Sequence, residues 1–391
     1  MFPFTLRRTF TMSASLSIAP FSGAVVAAMR KLYPEALADK SWDNTGLLLE
    51  APFNPRRRQK NSVLLTVDLT KAVADEAIER RDSIVVAYHP IIFRGLKSIT
   101  LADTQQQSLL RLAAEGISVY SPHTAIDAAS GGLGDWLADI VTGELATAAE
   151  DAVAADGEPV RLSSRARPTT RGNSSSDDTF KPPKKPVYIV QHHPSQLDVP
   201  DADLKLASTS HTRVAIKALD FPDHPGAGMG RIVRFTDPQR LTDIIERIGR
   251  GLGNPKGFPI AVPQGSSIDD ITISSVGICA GSGGSLFKDL DVDLLFTGEL
   301  SHHEALAAIE KGQCVICLFH SNTERGYLHS VLMEKLEASV KEEWRSRRVR
   351  MKEDQTQGLA DALQDDEVTV SVSERDRDPY GVLISKTELG E

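Results

Sequence analysis

Short apolar runs recur along the chain, each bounded by glycine, proline or a polar cluster, with segments of helical spacing between them. SVLLTVDL, residues 62–69, reads as a strand, and Thr70 caps a helix that runs to about Arg81. IVVA, residues 84–87, is a second strand. A glutamine-rich helix over 104–115 follows, and Gly116 opens a third strand, ISVYS, residues 117–121. Upstream, the spacing predicts a helix beginning after Ser22 (GAVVAAMRKLY) and ending at Pro34. The same alternation returns after residue 187. Strands are predicted at VYIVQ, at RIVRF (231–235), at 271–278, at 294–297 and at 315–319, and helices over 241–250 and from 331 to about 352. The alternating VTVSV near the C-terminus reads as an edge or closing strand. Strands alternating with helices at this spacing predict βαβ units and an α/β fold with mainly parallel sheets.

Between the two patterned regions, residues 145–186 pass from an Ala- and acid-rich piece into SSRARPTTRGNSSSDDTFKPPKKP, which is rich in Ser, Arg, Lys and Pro with almost no aliphatic residues, and this predicts a disordered linker or insertion. The chain therefore divides into 1–19, 20–144, 145–186 and 187–391. Residues 1–19 contain Arg7, Arg8, several Ser and Thr and no acidic residue, the composition of a mitochondrial presequence. Met12 offers an alternative start for a cytoplasmic form, so mitochondrial and cytoplasmic locations both stay open.

Composition changes this picture little. At 391 residues, 41% hydrophobic and 25% charged, the chain is long enough for two ordinary domains. No apolar run approaches the length of a membrane span. A formal net charge of −9 argues against direct nucleic-acid binding as its main task. Cys279, Cys314 and Cys317 are too few for a disulfide framework. The C-x-x-C of Cys314 and Cys317 falls inside a predicted strand, where that spacing points the two thiols to opposite faces, and both read as core.

The candidate chemistry sits where the strands end. The second strand delivers His89, the third leads to His123 and Asp127, and residues 294–297 lead to Glu299, with His302 and His303 on the next helix. The run at 315–319 delivers His320, with Glu324 four residues on. In a parallel sheet these ends share one edge, so the imidazoles and carboxylates can meet. Histidines with two carboxylates suit one or two divalent ions such as Zn, Mn or Fe, and such ions lower the pKa of bound water. Ser321 to Glu324 also fits a capping box, which would turn Glu324 back onto its own backbone. Gly281-Ser282-Gly283-Gly284 follows a strand and fits either a phosphate cradle or, more simply, close backbone packing. His192-His193-Pro194 also follows a strand but reads as a decoy.

WDNTGLL, YHPIIFRGLKSIT, YSPHTAIDAASGGLGDWLA, GSGGSL, LLFTGELSHHEALAAIEKG and HSNTERGYL, in that order, resemble the Nif-three-like family (Ngg-one-interacting factor three). Its bacterial members often carry the label GTP cyclohydrolase 1 type 2, and the C-terminal SERDRDPYGV is similar to its eukaryotic branch. The resemblance implies two related α/β halves, a ring-shaped homohexamer and a dinuclear metal site. It carries the metal ligands onto His89, Asp127, His320 and Glu324. His123 and His303 become proton-handling residues, and Asp43 and Asn44 a signature pair near the site. Tyr88 stands where many bacterial relatives have a histidine, which puts one ligand of the second metal in question. Two functions follow: a metal-dependent hydrolase acting on a nucleotide or phosphorylated small molecule, or a metal-stabilised oligomeric scaffold with a transcription-related protein partner.

Overall fold

The computed structural model describes residues 19–54, 57–143, 188–192, 209–353 and 360–385. The linker predicted over 145–186 and residues 1–18 of the predicted leader lie outside the described residues. Helix α1 (Pro20–Leu32) starts three residues earlier than the periodicity suggests, because Pro20 has a φ ready for the first helical turn. It ends at Leu32, just ahead of Pro34. Strand β1 (Gly46–Leu49) precedes β2 (Ser62–Thr66), α2 (Lys71–Arg80), β3 (Ile84–Ala87), α3 (Thr104–Glu115) and β4 (Ser118–Ser121). Two short helices, α4 (Thr124–Ala128) and α5 (Leu133–Thr142), follow.

The second region contains β5 (Tyr188–Gln191) and β6 (His211–Val214). A small ribbon of β7 (Lys217–Ala218) and β8 (Gly228–Met229) leads to β9 (Arg231–Arg240), α6 (Leu241–Gly251), β10 (Ile260–Ala261) and β11 (Thr272–Ser282). Then come β12 (Leu294–Glu299), α7 (His302–Glu310), β13 (Cys314–Cys317) and the short α8 (Arg325–Tyr327). The long α9 (Met333–Glu353) is followed by α10 (Ala360–Gln364), β14 (Thr369–Val372) and β15 (Val382–Ser385).

The first sheet has the order β1-β4-β3-β2-β14. Strands β4, β3, β2 and β14 run parallel, and only β1 is antiparallel. The strand predicted to close a sheet therefore does so in the sheet built from the N-terminal part of the chain. The second sheet, β10-β13-β12-β11-β9-β6, is mixed: β11, β12 and β13 are parallel, and the remaining pairs antiparallel. Its antiparallel part comes from β9, which pairs antiparallel with both β6 and β11, and from β10, which pairs antiparallel with β13.

One core joins the two sheets. Val63, Leu65, Ile84 and Val86 from the first share a buried cluster with Val233, Ile278, Phe296 and Ile316 from the second. Each such side chain contributes about 1.5–3 kcal/mol when fully removed from water. Helix α1 lies along α9 in this core, with Phe21 edge-on to Trp344 at 5.6 Å. The outer face of the first sheet packs on α2 through Leu64, Val73, Ala77 and Val85. Cys314 points into the shared core while Cys317 packs against the cluster on the other face, as strand alternation requires.

The consequence for function is one of edges. The parallel strands β2, β3, β4 and β14 present their carboxyl ends on one side of the first sheet, and β11, β12 and β13 do so in the second. Residues just beyond these ends are brought together where the sheets meet.

Candidate metal centre

His89 leaves β3 in a fixed direction. The Tyr88 N–H donates to Thr66 O at 2.8 Å and the His89 N–H to Val67 O at 3.0 Å, extending the ladder past the strand. The His89 Nδ1–H donates to Asp68 Oδ1 at 2.9 Å, which turns Nε2 toward Glu324 Oε2 at 3.4 Å. His320 follows β13 through Phe319, a non-glycine residue at φ +66°. Its Nδ1–H donates to Glu299 Oε1 at 2.9 Å, and its Nε2 lies 3.5 Å from Glu324 Oε1. One ligand atom each from His89, His320 and Glu324 thus lies within 4.8 Å of the other two.

Glu324 settles the capping question. Ser321 donates its hydroxyl to Asp378 Oδ2 at 2.5 Å, and no side-chain cap closes the turn His320–Thr323. The capping box lies instead at Ser301 and Glu304, at the start of α7. Glu324 is 2% exposed, and its Oε2 has no hydrogen-bond partner. A buried carboxylate oxygen without a donor costs free energy that a cation would recover. Gly281 completes the cradle at φ +58°, where a Cβ would come within 2.8 Å of Glu324 Oε1 and 2.9 Å of His320 Nε2. Two imidazoles oriented by carboxylates, one buried carboxylate and space kept open by glycine fit a borderline divalent ion.

The field at the site has the matching sign. Burial alone would lower the pKa of His89, but the carboxylates of Glu324 and Asp68 outweigh it and raise it to about 11. What favours a proton there favours any cation. Burial alone would raise Asp68, yet the hydrogen bond and charge of His89, with Arg325 and His320 nearby, bring it below its ordinary value.

Asp127 stands beside this group rather than in it. Its Oδ1 accepts from the Tyr88 hydroxyl at 2.7 Å. Burial, with Glu324 and Asp43 adding, lifts its carboxyl to about 6 against the pull of His123 and Tyr88. The buried Tyr88 phenol is pushed well above its ordinary value by burial first and by Asp127 and Glu324 second, so it stays a donor. His123, at φ +30°, directs Nδ1 to Asp43 Oδ1 at 2.6 Å. Its ring lies 5.5 Å from His89, 5.4 Å from Tyr88 and 5.7 Å from Trp42. Non-glycine backbone at positive φ, at His123 itself and at Phe319 beside His320, is strain that the surrounding contacts have to hold.

Asp43 both orients His123 and caps the local turn, accepting the Asn44 N–H at 2.7 Å and the Thr124 hydroxyl. The Asn44 side chain donates to Ile92 O. His302 and His303 are exposed on α7, with rings 5.3 Å apart, and no hydrogen bond or ion pair among the described residues ties His303 to the cluster. His192 meets the Asp378 carbonyl at 3.2 Å, and His193 lies outside the described residues. The remaining glycines of the GSGG stretch support close packing. A Cβ on Gly283 would meet Thr297 Oγ1 at 2.8 Å, and one on Gly284 would overlap Glu304 Oε1.

Sequence reasoning overlooked Asp68 and Arg325. Asp68 is one acid at the end of β2, with no spacing to mark it. Buried Arg325 bridges Asp68 Oδ2 at 3.4 Å and Asp376 Oδ2 at 2.7 Å. Asp376 also accepts the Val67 N–H at 2.7 Å, so the segment after β14 props the loop that carries Asp68.

Gly281→Ala tests the cradle. The added methyl, at a φ that alanine resists, should displace Glu324 or His320 and lower metal affinity by roughly the 10- to 100-fold seen when ligand support is disturbed, with secondary structure retained by circular dichroism. Unchanged metal content would show that the space beside Gly281 is not the ion's.

With the geometry in hand, comparison with known proteins is informative. The sequence profile of Duf34/NIF3 (NGG1p interacting factor 3) matches residues 22–357. A protein NIF3 homolog of Schizosaccharomyces pombe is 41% identical over 329 residues, covering 84% of this chain and 93% of that protein. The NGG1-interacting factor 3 of Saccharomyces cerevisiae is 34% identical over 315 residues, covering 79% and 88%. Among solved structures, a Bacillus cereus protein related to NIF3 superposes with a TM-score of 0.54 at 18% identity, covering 92% of this chain and 98% of that one. Reduced HcgD from Methanocaldococcus jannaschii superposes with a TM-score of 0.52 at 16% identity, covering 81% and 93%. At these identities the structures establish a shared fold and nothing finer.

Proposed function

Because the chain belongs to the Duf34/NIF3 family, we propose that it is a divalent-metal-dependent hydrolase acting on a nucleotide or another phosphorylated small molecule. The observation that carries this reading is the buried Glu324 carboxylate, its Oε2 without a hydrogen-bond partner, set between two imidazoles whose far nitrogens are already engaged. His89, His320 and Glu324 would hold the ion; Zn, Mn and Fe all suit the donor set. When bound, that ion supplies Lewis acidity toward water and toward a phosphoryl or carbonyl oxygen. Asp127, engaged by Tyr88, stands beside this group.

The chain's own residues supply the rest. Asp43 fixes the His123 tautomer with the proton on Nδ1, leaving Nε2 to accept or return a proton. Trp42 covers one edge of that imidazole and limits water at it. His123 is therefore the proton carrier in this reading; among the described residues no hydrogen bond or ion pair joins His303, exposed on α7, to it. The test is a broad panel of nucleotides and phosphoesters offered to zinc- and manganese-loaded protein. Turnover of at least one member, lost in His123→Ala with metal content unchanged, is expected. Failure to turn over any member overturns the proposal.

A second reading, a metal-stabilised oligomer that binds a protein partner, draws on a different observation. Trp42, Phe93, Leu96, Ile99 and Leu101 expose large apolar side chains, with Trp42 against both Phe93 and His123, and the S. cerevisiae relative is named as an interacting factor. Among the described residues no helix is long and apolar enough to cross a membrane, so this surface is not part of a helical span.

A further inference from the structure

A cleft of about 870 Å³ opens beside His89. Its walls come from segments far apart in sequence: the loop from β2 into α2, the residues after β3, the first turn of α3, and the stretch from Arg375 to Pro379. Its volume lies in the range that takes a nucleotide-sized ligand. The polar character is uneven. Asp68 and Asp378, the acids that line it, are both engaged within the protein, by His89 and by Ser321. Of the cations on its walls, Lys71 is paired with Asp75 at 2.8 Å and Arg375 with Glu79. Arg377 is exposed and, among the described residues, engaged by no hydrogen bond or ion pair. A free guanidinium thus faces the same cleft as the imidazole of His89.

We propose that this cleft binds the substrate and that Arg377 receives its phosphoryl group, with Arg375 and Lys71 as weaker neighbours already committed to carboxylates. This assignment rests on the hydrolase reading above and narrows it to ligands carrying a phosphate at one end and the reacting group at the other. A planar guanidinium can meet two phosphate oxygens at once, which suits it to this recognition better than an ammonium group. Arg377 is a specificity residue in this scheme, and it does not touch the ion.

The probe is inorganic phosphate, titrated into the full-length, zinc-loaded chain by calorimetry. Arg377→Ala should weaken phosphate about tenfold, the size of one charge-assisted hydrogen bond, with metal content unchanged. Arg377→Lys should recover part of the loss, and Arg375→Ala should lose less than Arg377→Ala because Glu79 already claims that side chain. Equal phosphate affinity in the parent and Arg377→Ala overturns the assignment. So does a parent chain that holds zinc but binds no phosphate, although that result leaves the metal reading intact. A parent that holds no zinc, yet binds phosphate in an Arg377-dependent way, sustains the anion subsite and removes the hydrolase reading instead.

Discussion

Glu324→Ala is expected to leave a chain that folds but no longer retains a divalent ion through dialysis. Outer partners of metal ligands are worth about 10- to 100-fold in affinity, and removing an inner carboxylate that bridges the approach of two imidazoles should cost more than that. Elemental analysis of the parent and variant, purified side by side, reads the effect directly. Thermal melting gives a second readout. A parent saturated at about a thousand times its dissociation constant gains roughly 4 kcal/mol, which the variant should not show. Variant protein that keeps the parent's metal content would remove Glu324 from the centre.

The same site predicts how binding responds to pH. Without metal, His89 is raised to about 11 by Glu324 and Asp68 against the effect of burial. It therefore holds a proton throughout the neutral range, and an incoming ion has to displace it. Affinity should rise by about tenfold per pH unit across that range, and should fall on acidification. Titration in buffers of different ionisation enthalpy should register the released proton.

Tyr88→His carries the next largest expected effect. The Tyr88 hydroxyl now donates to Asp127 Oδ1 at 2.7 Å, and its high pKa keeps it from serving as a phenolate ligand. Histidine at this position would release that oxygen and add an imidazole beside it. Metal content should then rise from a single ion toward two per chain, together with any hydrolytic turnover. Tyr88→Phe separates the two changes, because it frees Asp127 without adding a ligand. It should stay at a single ion and lose about 1–3 kcal/mol from a carboxylate deprived of its donor. A parent already holding two ions would refute the mononuclear reading, and an unchanged Tyr88→His with intact partner binding would favour the scaffold.

The ends of the buried strands were legible because their apolar runs are short and sharply bounded. His89 and His320 could be placed at a shared edge from that pattern alone, and Glu324 followed from its spacing to His320. The same pattern brought Asp127 to that edge; the family resemblance made it a ligand and raised the question of Tyr88. What could not be read was anything resting on a partner distant in sequence. Asp68 looks like any acid after a strand until β2 and β3 pair and bring it against His89. Asp376 acquires a role only once β14 lies beside β2. The competing cap at Ser321 failed for the same reason, since Asp378 claims its hydroxyl. The second sheet's mixed pairing was equally hidden, because the apolar content of β9 gives no clue to its direction.

The insertion of β14 beside β2 has a consequence for biosynthesis. Strand β2 is translated some three hundred residues before its neighbour, as the 309-residue separation of Val67 from Asp376 records. Until that late segment leaves the ribosome, the first sheet has a bare edge and Arg325 lacks its principal counter-charge. A chain halted by a premature stop ahead of β14 should therefore go to chaperones and proteases instead of surviving as a partly active fragment.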